Sequence, residues 1–290
     1  MNNMKVFILG GNRYVGLKLL KLMQEKSEID DVFTLSRTKN FYNFKNHFLG
    51  NRQDTRLLES LLCKYRPDIL IDMICFSKND IQSILDLKSK GALDSIKHYI
   101  VISSFFVYNY FPYKQFKEKK LSIKYLKSPI KEPYTKQKVE METTLMQSDF
   151  FEFSSIVRFP FIFSSDDYTQ RFQSFCEQAF SKTKVYFDNN FRFSMISKNS
   201  AALGLYELIT KKMPQGYVDL ANEGCLTQKQ IYENISDLGS YKKIITSLDN
   251  NIYNVKKDLC ISTNKISIRK NLREEINLEA NRLFNKVKNT

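Results

Sequence analysis

The 290 residues predict an α/β fold, built on a parallel β-sheet with helices on both faces. Short apolar segments alternate with segments of helical periodicity along residues 5–146. The apolar segments are nearly continuous, which is typical of parallel strands buried on both faces. The first of them, Lys5–Leu9, opens directly onto a glycine-containing turn. Together these observations predict a Rossmann-type, doubly wound parallel sheet.

The elements follow from the residue pattern in chain order. The predicted strands are 5–9, 31–37, 67–75 and 98–104, and the predicted helices include 17–23, 57–62, 80–89 and one entered at 132. Residues 40–51 are polar and aromatic without a clear period, so no element is predicted there. After Ser164 the simple alternation ends, with a helix entered from Asp166, a short strand at 184–187 and an amphipathic helix at 272–287.

The turn after the first strand has the residues of a phosphate-binding turn. Gly10 can adopt backbone angles that a side chain forbids, and Gly16 lets the following helix approach the strand closely. The helix N-terminus would offer its N–H groups to a pyrophosphate. Arg13 stands where a middle glycine would complete the motif, so an ordinary β–turn–α connection also explains this stretch.

The end of the second strand predicts which dinucleotide binds. Ser36, Arg37 and Lys39 follow this strand, and Arg13 joins them from the glycine turn. A site that selects NAD usually has an acidic residue here for the ribose 2′-hydroxyl, whereas positive charge accommodates a 2′-phosphate. The sequence therefore favours NADP(H) over NAD(H), unless Arg37 simply begins a surface loop.

Candidate catalytic residues lie at the end of the fourth predicted strand and on the helix that follows it. This strand ends in Ser103 and Ser104, and a helix beginning near Glu132 then carries Tyr134 and Lys138. Residues four apart share one face of a helix, so the phenol and the ammonium would point together into the ligand crevice. Taken singly, Ser104 could be a cap, Tyr134 a helix-start aromatic and Lys138 a solvated side chain.

Composition limits the other classes of function. The five cysteines are scattered without C-x-x-C spacing, so we expect reduced thiols in a cytoplasm and no zinc site. Two histidines, His47 and His98, are too few to favour a histidine metal site or a catalytic triad. No apolar run approaches the roughly 20 residues that span a bilayer, so we expect no membrane association.

The formal net charge of +14 raises the question of nucleic-acid binding. The charge is dispersed, and its densest stretch is Lys114–Lys120, with Lys124 and Lys127 beyond it. This stretch is expected to be a solvated surface loop, although a basic rim for a nucleotide diphosphate or RNA is the alternative.

These residues resemble the extended short-chain dehydrogenase/reductase family. The segments that carry the resemblance are the glycine turn Gly10–Gly16, the S-S-x-x-V-Y segment Ser103–Tyr108, and the stretches Ile156–Phe163, Phe193–Ser197 and Tyr217–Glu223. The turn is closest to an atypical branch of NAD-dependent epimerase/dehydratase-like proteins, which includes stem-loop-binding proteins of chloroplasts. Departures are Asn51 in place of the usual Asp, and Lys198 and Asn199 in place of an acidic pair.

The resemblance implies roles for these residues. Tyr134 would be the acid/base, Lys138 would lower its pKa and hydrogen-bond the nicotinamide ribose, and Ser104 would donate to a substrate oxygen. The expected cofactor contacts are Gly10, Asn12, Arg13, Tyr14, Val15, Gly16, Ser36, Arg37, Lys39, Asn51, Met73, Cys75, Tyr134, Lys138, Phe159 and Pro160. The expected substrate contacts are Ser104, Phe105, Phe161, Arg171 and Arg192, with core packing the alternative for some of the phenylalanines.

The expected protein is a cytoplasmic, NADP(H)-dependent oxidoreductase or epimerase that transfers hydride on a nucleotide-sugar-like carbonyl or alcohol. Residues 1–163, with 191–222 returning, would form the dinucleotide domain, and 164–290 mainly an interleaved substrate lobe. The alternative is a nucleotide-binding RNA-associated or regulatory protein on the same fold. A homodimer rests only on analogy with family members.

Overall fold

A computed structural model describes residues 4–26, 28–29, 31–39, 44–110, 130–180, 185–187, 191–211, 214–238, 245–247, 258–261 and 270–288. The basic stretch Lys114–Lys120, with Lys124 and Lys127, lies outside these residues, so its interpretation as a surface loop stays a prediction.

The chain divides into two compact units. Unit 1 is Met1–Arg158 with Ala202–Val218, and unit 2 is Phe159–Ala201 with Asp219–Thr290. The sequence-based division instead used 1–163 with 191–222.

The strands are β1 Lys5–Leu9, β2 Asp31–Ser36, β3 His47–Leu49, β4 Ile69–Asp72, β5 His98–Ser104, β6 Ser154–Phe159, β7 Phe161–Phe163, β8 Val185–Phe187, β9 Arg192–Phe193, β10 Met195–Ser197, β11 Gly216–Asp219, β12 Leu226–Thr227 and β13 Ile245–Ser247. The helices are α1 Tyr14–Glu25, α2 Thr55–Tyr65, α3 Lys78–Ser89, α4 Pro133–Met146, α5 Arg171–Phe180, α6 Lys198–Thr210, α7 Gln228–Leu238 and α8 Leu272–Lys288. Among the described residues, 3₁₀ helices cover Phe105–Tyr110 and Asp149–Phe153.

Unit 1 is organised around a seven-stranded sheet in the order β11-β6-β5-β4-β1-β2-β3. Parallel pairing joins β1 to both β2 and β4, so that Val6 has Val32 on one side and Ile69 on the other. Val6 to Leu9 are fully buried, as expected of a central strand with helices on both faces. This arrangement confirms the predicted doubly wound fold. The strand order reverses beside β1, and ligands of such sheets bind outside the carboxyl ends of the strands there.

The sequence analysis missed β3. This strand has three residues, too few to show a period, and its central Phe48 ring stacks 6.3 Å from the Phe7 ring and 5.2 Å from the Tyr65 ring. Tertiary packing therefore defines β3. The predicted strand 67–75 is shorter than expected, because β4 ends at Asp72, where the chain turns toward helix α3.

The described part of unit 2 contains three two-stranded sheets, β7 with β10, β9 with β12, and β8 with β13. Helix α5 begins at Arg171, later than the expected entry at Asp166, because the Asp167 carboxylate accepts from the Thr169 N–H and hydroxyl and stabilises a turn there. Helix α8 confirms the predicted amphipathic helix, since Leu272, Ile276 and Ala280 are fully buried.

One cysteine prediction is wrong. Cys225 and Cys260 form a disulfide with Cα atoms 5.6 Å apart, although 35 positions separate them in the chain. Phe193 explains the encounter, because it pairs with Leu226 in β12 and also forms a bridge with Leu259, which brings the adjacent cysteines together. Cys63, Cys75 and Cys176 are free thiols. Within the described residues no helix has the length and apolarity needed to span a membrane.

Candidate functional site

Gly10 and Gly16 of the first turn are both required by its geometry. Gly10 has φ of +84°, and a Cβ there would lie 2.5 Å from Ile74 Cγ2. A Cβ on Gly16 would lie 2.8 Å from the Gly11 Cα and carbonyl oxygen. Side chains at either position would therefore push the helix or the neighbouring loop away from β1.

The N-terminus of α1 differs from those of the next three helices. Asp54, Ser77 and Glu132 each accept backbone N–H groups as side-chain caps of α2, α3 and α4. Arg13, the N-cap of α1, makes no such bond, and the first turn of α1 contains no acidic residue. Tyr14 begins the helix with φ of +48°, and Val15 and Gly16 are buried beside it. This helix end has the features of an anion-binding N-terminus.

The structure brings Asn12 from the glycine turn beside Ser36 at the end of β2. Asn12 Nδ2 donates to Ser36 Oγ at 2.9 Å, and Ser36 Oγ in turn donates to the Thr38 carbonyl at 3.0 Å. Asn12 Oδ1 is buried, and the described residues offer it no hydrogen-bond partner. The three predicted phosphate cations, Arg13, Arg37 and Lys39, are exposed.

His47 lies in the same cluster, which the sequence analysis did not include. Its Nδ1 is 2.7 Å from Thr34 Oγ1, and its Nε2 is 3.1 Å from the Thr38 carbonyl oxygen. Burial lowers the pKa of His47, and the hydrogen bond to Thr38 opposes this. His47 begins β3, and because the sequence does not predict this strand, it gave no reason to include His47 in the site.

Arg52 is a second residue that the sequence analysis did not include. It is buried, whereas the preceding Asn51 is exposed. Asn51 Oδ1 accepts the Gln53 N–H at 3.1 Å. Arg52 donates to Asp72 Oδ2 at 2.7 Å and to Asp80 Oδ1 at 2.6 Å. Burial alone would raise the pKa of Asp80, but the Phe76 N–H and the Arg52 guanidinium outweigh it and hold that pKa below its ordinary value.

These two carboxylates fix the loop that follows β4. Asp72 Oδ1 accepts the Ile74 N–H at 3.1 Å, and Asp80 Oδ2 accepts the Phe76 N–H at 2.9 Å. Met73 is held to β1, because its N–H donates to the Leu9 carbonyl at 3.0 Å. The loop thereby presents the Cys75 carbonyl in a fixed position.

Lys138 is buried at this point, with 2% of its surface exposed. Its Nζ donates to the Cys75 carbonyl at 2.7 Å and to the Ile102 carbonyl at 2.8 Å. The same atom lies 5.9 Å from the centroid of the Tyr134 ring, which is 40% exposed. Burial lowers the pKa of Lys138, and negative groups around it oppose this. The structure thus brings the phenol and the ammonium together on one face of α4.

The two serines that end β5 have different surroundings. Ser104 Oγ accepts the Phe106 N–H at 3.3 Å, whereas Ser103 Oγ donates to Glu142 Oε1 at 2.5 Å. Phe105 is fully buried and contacts Phe106, with ring centroids 4.7 Å apart. Its ring therefore packs in the core, which was the alternative to a substrate contact.

A buried ion pair beside Ser103 was also missed. Arg158 Nε and Nη2 donate to the two oxygens of Glu142 at 3.1 and 2.6 Å. Arg158 Nη1 donates to the Tyr108 hydroxyl at 2.7 Å, and its guanidinium lies 4.0 Å from the Tyr217 ring centroid. The family segments around Arg158 and Glu142 were visible in the sequence, but their pairing across 16 positions was not.

The remaining predicted residues belong to unit 2. Phe159 and Pro160 are buried, and the Phe161 ring meets the Phe175 ring edge-on at 6.3 Å. The exposed Arg171 guanidinium lies 5.0 Å from the Phe161 ring centroid. These two proposed substrate contacts are therefore neighbours within unit 2.

Arg192 is engaged by a carboxylate. Its Nε and Nη2 donate to Asp258 Oδ2 at 3.0 and 2.7 Å, and its backbone N–H donates to Oδ1 at 2.8 Å. The backbone N–H and the guanidinium together lower the pKa of Asp258. A diphosphate would therefore compete with Asp258 for two of the three guanidinium nitrogens.

Comparison with solved structures finds chains with the same fold. WbmG of Bordetella bronchiseptica, in complex with NAD and UDP, matches with a TM-score of 0.76 and 12% identity, over 98% of this chain and 95% of that one. A dTDP-glucose 4,6-dehydratase of Bacillus anthracis, in complex with NAD, matches with a TM-score of 0.75 and 12% identity, over 99% and 98%.

A UDP-glucose 4-epimerase of Thermotoga maritima, solved with UDP-glucose, matches with a TM-score of 0.70 and 14% identity, over 98% of this chain and all of that one. No family model and no curated protein matches the sequence. At these identities the likeness concerns the fold, and it extends over nearly the whole chain. The chain therefore has the Rossmann-type fold found in these nucleotide-sugar epimerases and dehydratases.

Proposed function

We propose that this chain is a nicotinamide-dinucleotide-dependent enzyme of the extended short-chain dehydrogenase/reductase type that acts on a nucleotide sugar. The observation that carries the proposal is the buried Lys138 ammonium beside the Tyr134 ring. Both lie on the helix that follows the serine-ended strand β5, in a sheet whose first turn has the required glycines. Solved structures of the same fold contain NAD, UDP or UDP-glucose, which supports this class of cofactor and substrate.

The residues of the first turn fit a dinucleotide. The Gly10 and Gly16 positions exclude side chains, and the N-terminus of α1 has neither a side-chain cap nor an acidic residue in its first turn. Asn12 Oδ1 is a buried acceptor to which the described residues supply no donor, as expected of an atom that meets a ligand. We propose that Gly10–Gly16 hold the pyrophosphate and that Asn12 contacts the cofactor.

Tyr134 is the proposed acid/base. A free phenol has a pKa of about 10, and a neighbouring cation lowers this value by stabilising the phenolate. Lys138 supplies that cation, and its two carbonyl acceptors prevent it from swinging into solvent. Ser104 is the proposed donor to the substrate oxygen, because its Oγ accepts the Phe106 N–H and keeps its own proton for another partner. The nicotinamide, when bound, exchanges hydride with the substrate carbon.

We further propose that the cofactor is NADP(H) in preference to NAD(H). Arg13, Arg37 and Lys39 are exposed cations around the end of β2. Asn12 and Thr38 engage the Ser36 hydroxyl, so Ser36 would order the turn and leave the 2′-phosphate to the cations. Within unit 2, the proposed nucleotide-sugar contacts are Phe161, Arg171 and Arg192.

The acid/base role is tested with Tyr134→Phe. We expect turnover of a nucleotide sugar, with UDP-glucose as the first probe, to fall by about 100-fold or more, because positioned proton transfer contributes about 10²–10⁴-fold. Binding of NADPH, followed by fluorescence titration, should change little. Tyr65→Phe is the matched control, since it removes a hydroxyl from a ring that packs on Phe33 in the same unit. Turnover that survives in Tyr134→Phe would refute the role.

The cofactor preference is tested with Arg37→Ala. A charged hydrogen bond contributes about 1.5–3 kcal/mol, so the Kd for NADPH should rise about 10- to 100-fold while that for NADH stays nearly constant. Arg56→Ala removes an equally exposed arginine from α2 and should leave both constants unchanged. Equal weakening of NADPH and NADH by Arg37→Ala would rule out a 2′-phosphate contact.

A further inference from the structure

Tyr134, Lys138 and Glu142 are spaced four residues apart on α4, so they share one face of the helix. Tyr134 is at the exposed end of this row, and the other two are buried. Glu142 has no exposed surface, yet no role follows for it from the dinucleotide turn or from the acid/base pair. A fully buried carboxylate is costly unless it is paired and hydrogen-bonded, so its partners indicate what it does.

The partners of Glu142 come from elements that carry the proposed catalytic groups. Ser103, which donates to Glu142 Oε1, is the neighbour of Ser104 on β5. Arg158 binds both carboxylate oxygens and also donates to Tyr108, in the 3₁₀ helix that begins directly after Ser104. Glu142 therefore joins the helix of Tyr134 and Lys138 to the strand end of Ser104.

The buried charge of Lys138 is balanced by groups from two elements, the loop after β4 and α4 itself. Its direct acceptors are two neutral carbonyls, of Cys75 and Ile102, which do not balance its charge. The groups that face it from the loop after β4 are the Cys75 thiol, Asp72 and Asp80; Arg52 pairs with both carboxylates, and its single positive charge leaves them one net negative charge. From its own helix it meets Tyr134 and Glu142.

We propose that Glu142 is a positioning residue for the Tyr134–Lys138 pair, which fixes α4 against the end of β5 and supplies negative charge to the buried ammonium. The role of Glu142 in catalysis rests on the proposed function, whereas its effect on the pKa of Lys138 does not. Glu142 is one of the groups that raise the pKa of Lys138 against the dominant effect of burial. Loss of its charge would leave Arg158 unbalanced, and this positive charge would act on Lys138 in the same direction.

The test is to measure the pKa of Lys138 in Glu142→Gln. The full-length chain is labelled at lysine Nζ and titrated by NMR. The Lys138 resonance is assigned by its absence in Lys138→Met. We expect the ammonium signal of Lys138 to be lost at a pH lower by on the order of one unit. Glu140→Gln is the control, because it removes the same charge from a half-exposed position on the same helix.

A Lys138 titration in Glu142→Gln that moves no further than in Glu140→Gln would overturn the proposal. Removal of one partner of a buried pair can prevent folding, so Glu142→Gln with Arg158→Met is the second variant. Glu142 acts from the helix of Lys138, whereas Arg158 reaches in from β6 and stacks on Tyr217. The pair variant should therefore move the titration in the same direction, and an unmoved titration there would also overturn the proposal. Neither result depends on the outcome of Tyr134→Phe, so the two proposals can fail separately.

Discussion

His98 shows how a single side chain is specified by its surroundings. It begins β5 in the core of unit 1, with Nε2 2.7 Å from Ser155 Oγ. The Ser155 hydroxyl donates its only proton to the Pro214 carbonyl. His98 Nε2 must therefore carry the hydrogen of the His98–Ser155 bond, which assigns a neutral Nε2–H tautomer. Burial lowers the pKa of His98 to about 4.

This histidine should make the protein sensitive to acid. The unfolded chain takes up the proton near the ordinary pKa of 6.5, whereas the folded chain does so only near 4, so stability is complete above pH 6.5 and falls between these values. The gap corresponds to about 3 kcal/mol of unfolding free energy. In His98→Gln, which keeps a donor for Ser155, this part of the loss should be absent from urea titrations at pH 7, 5.5 and 4. If the wild type and His98→Gln lose the same unfolding free energy between pH 7 and pH 4, this role of His98 is contradicted.

At the scale of elements, the Cys225–Cys260 disulfide joins two segments that also pair with a common strand, β9. Phe193 in β9 pairs with the residues next to both cysteines, and Arg192 binds Asp258 two positions before Cys260. The disulfide therefore closes a loop in unit 2 that hydrogen bonds have already brought together.

Breaking this disulfide should destabilise unit 2. Cys225→Ser should lower the unfolding free energy by about 2–4 kcal/mol without reductant, because the unfolded chain regains the entropy of an open loop. Cys63→Ser, which alters an exposed free thiol, is the control. With dithiothreitol the wild type and Cys225→Ser should unfold at the same urea concentration. A difference that persists after reduction would indicate that packing of Cys225, and not the disulfide, stabilises this region.

The sequence predicted elements well where the signal is local. Strand β5 was predicted at 98–104 with its observed bounds, and α8 was predicted from its apolar spacing. Side-chain caps such as the Ser77–Asp80 capping box begin helices at positions that apolar periodicity does not mark, so α3 starts at Lys78 and not at Asp80. Strand β3 has no local signal, because packing on Phe7 and Tyr65 defines it.

For the whole molecule, the doubly wound parallel sheet could be predicted because alternation of strands and helices restricts the topology strongly. Within the candidate site, the proximity of Tyr134 and Lys138 could be predicted because one motif contains both partners. Arg52 with Asp72, Glu142 with Arg158, and Cys225 with Cys260 meet across 20, 16 and 35 positions. Such pairs depend on how distant segments fold together, which a single sequence does not reveal.

The two carbonyls that hold Lys138 have a consequence for how the site responds to ligands. A free lysine side chain has about 2 kcal/mol of rotamer entropy, and most of it is lost here when Nζ docks on the Cys75 and Ile102 carbonyls during folding. Little rotamer entropy of Lys138 then remains to be lost when a ligand binds. Each encounter with a ligand therefore begins with a preorganised cation, and the entropy cost of immobilising it is incurred during folding and not at each binding event.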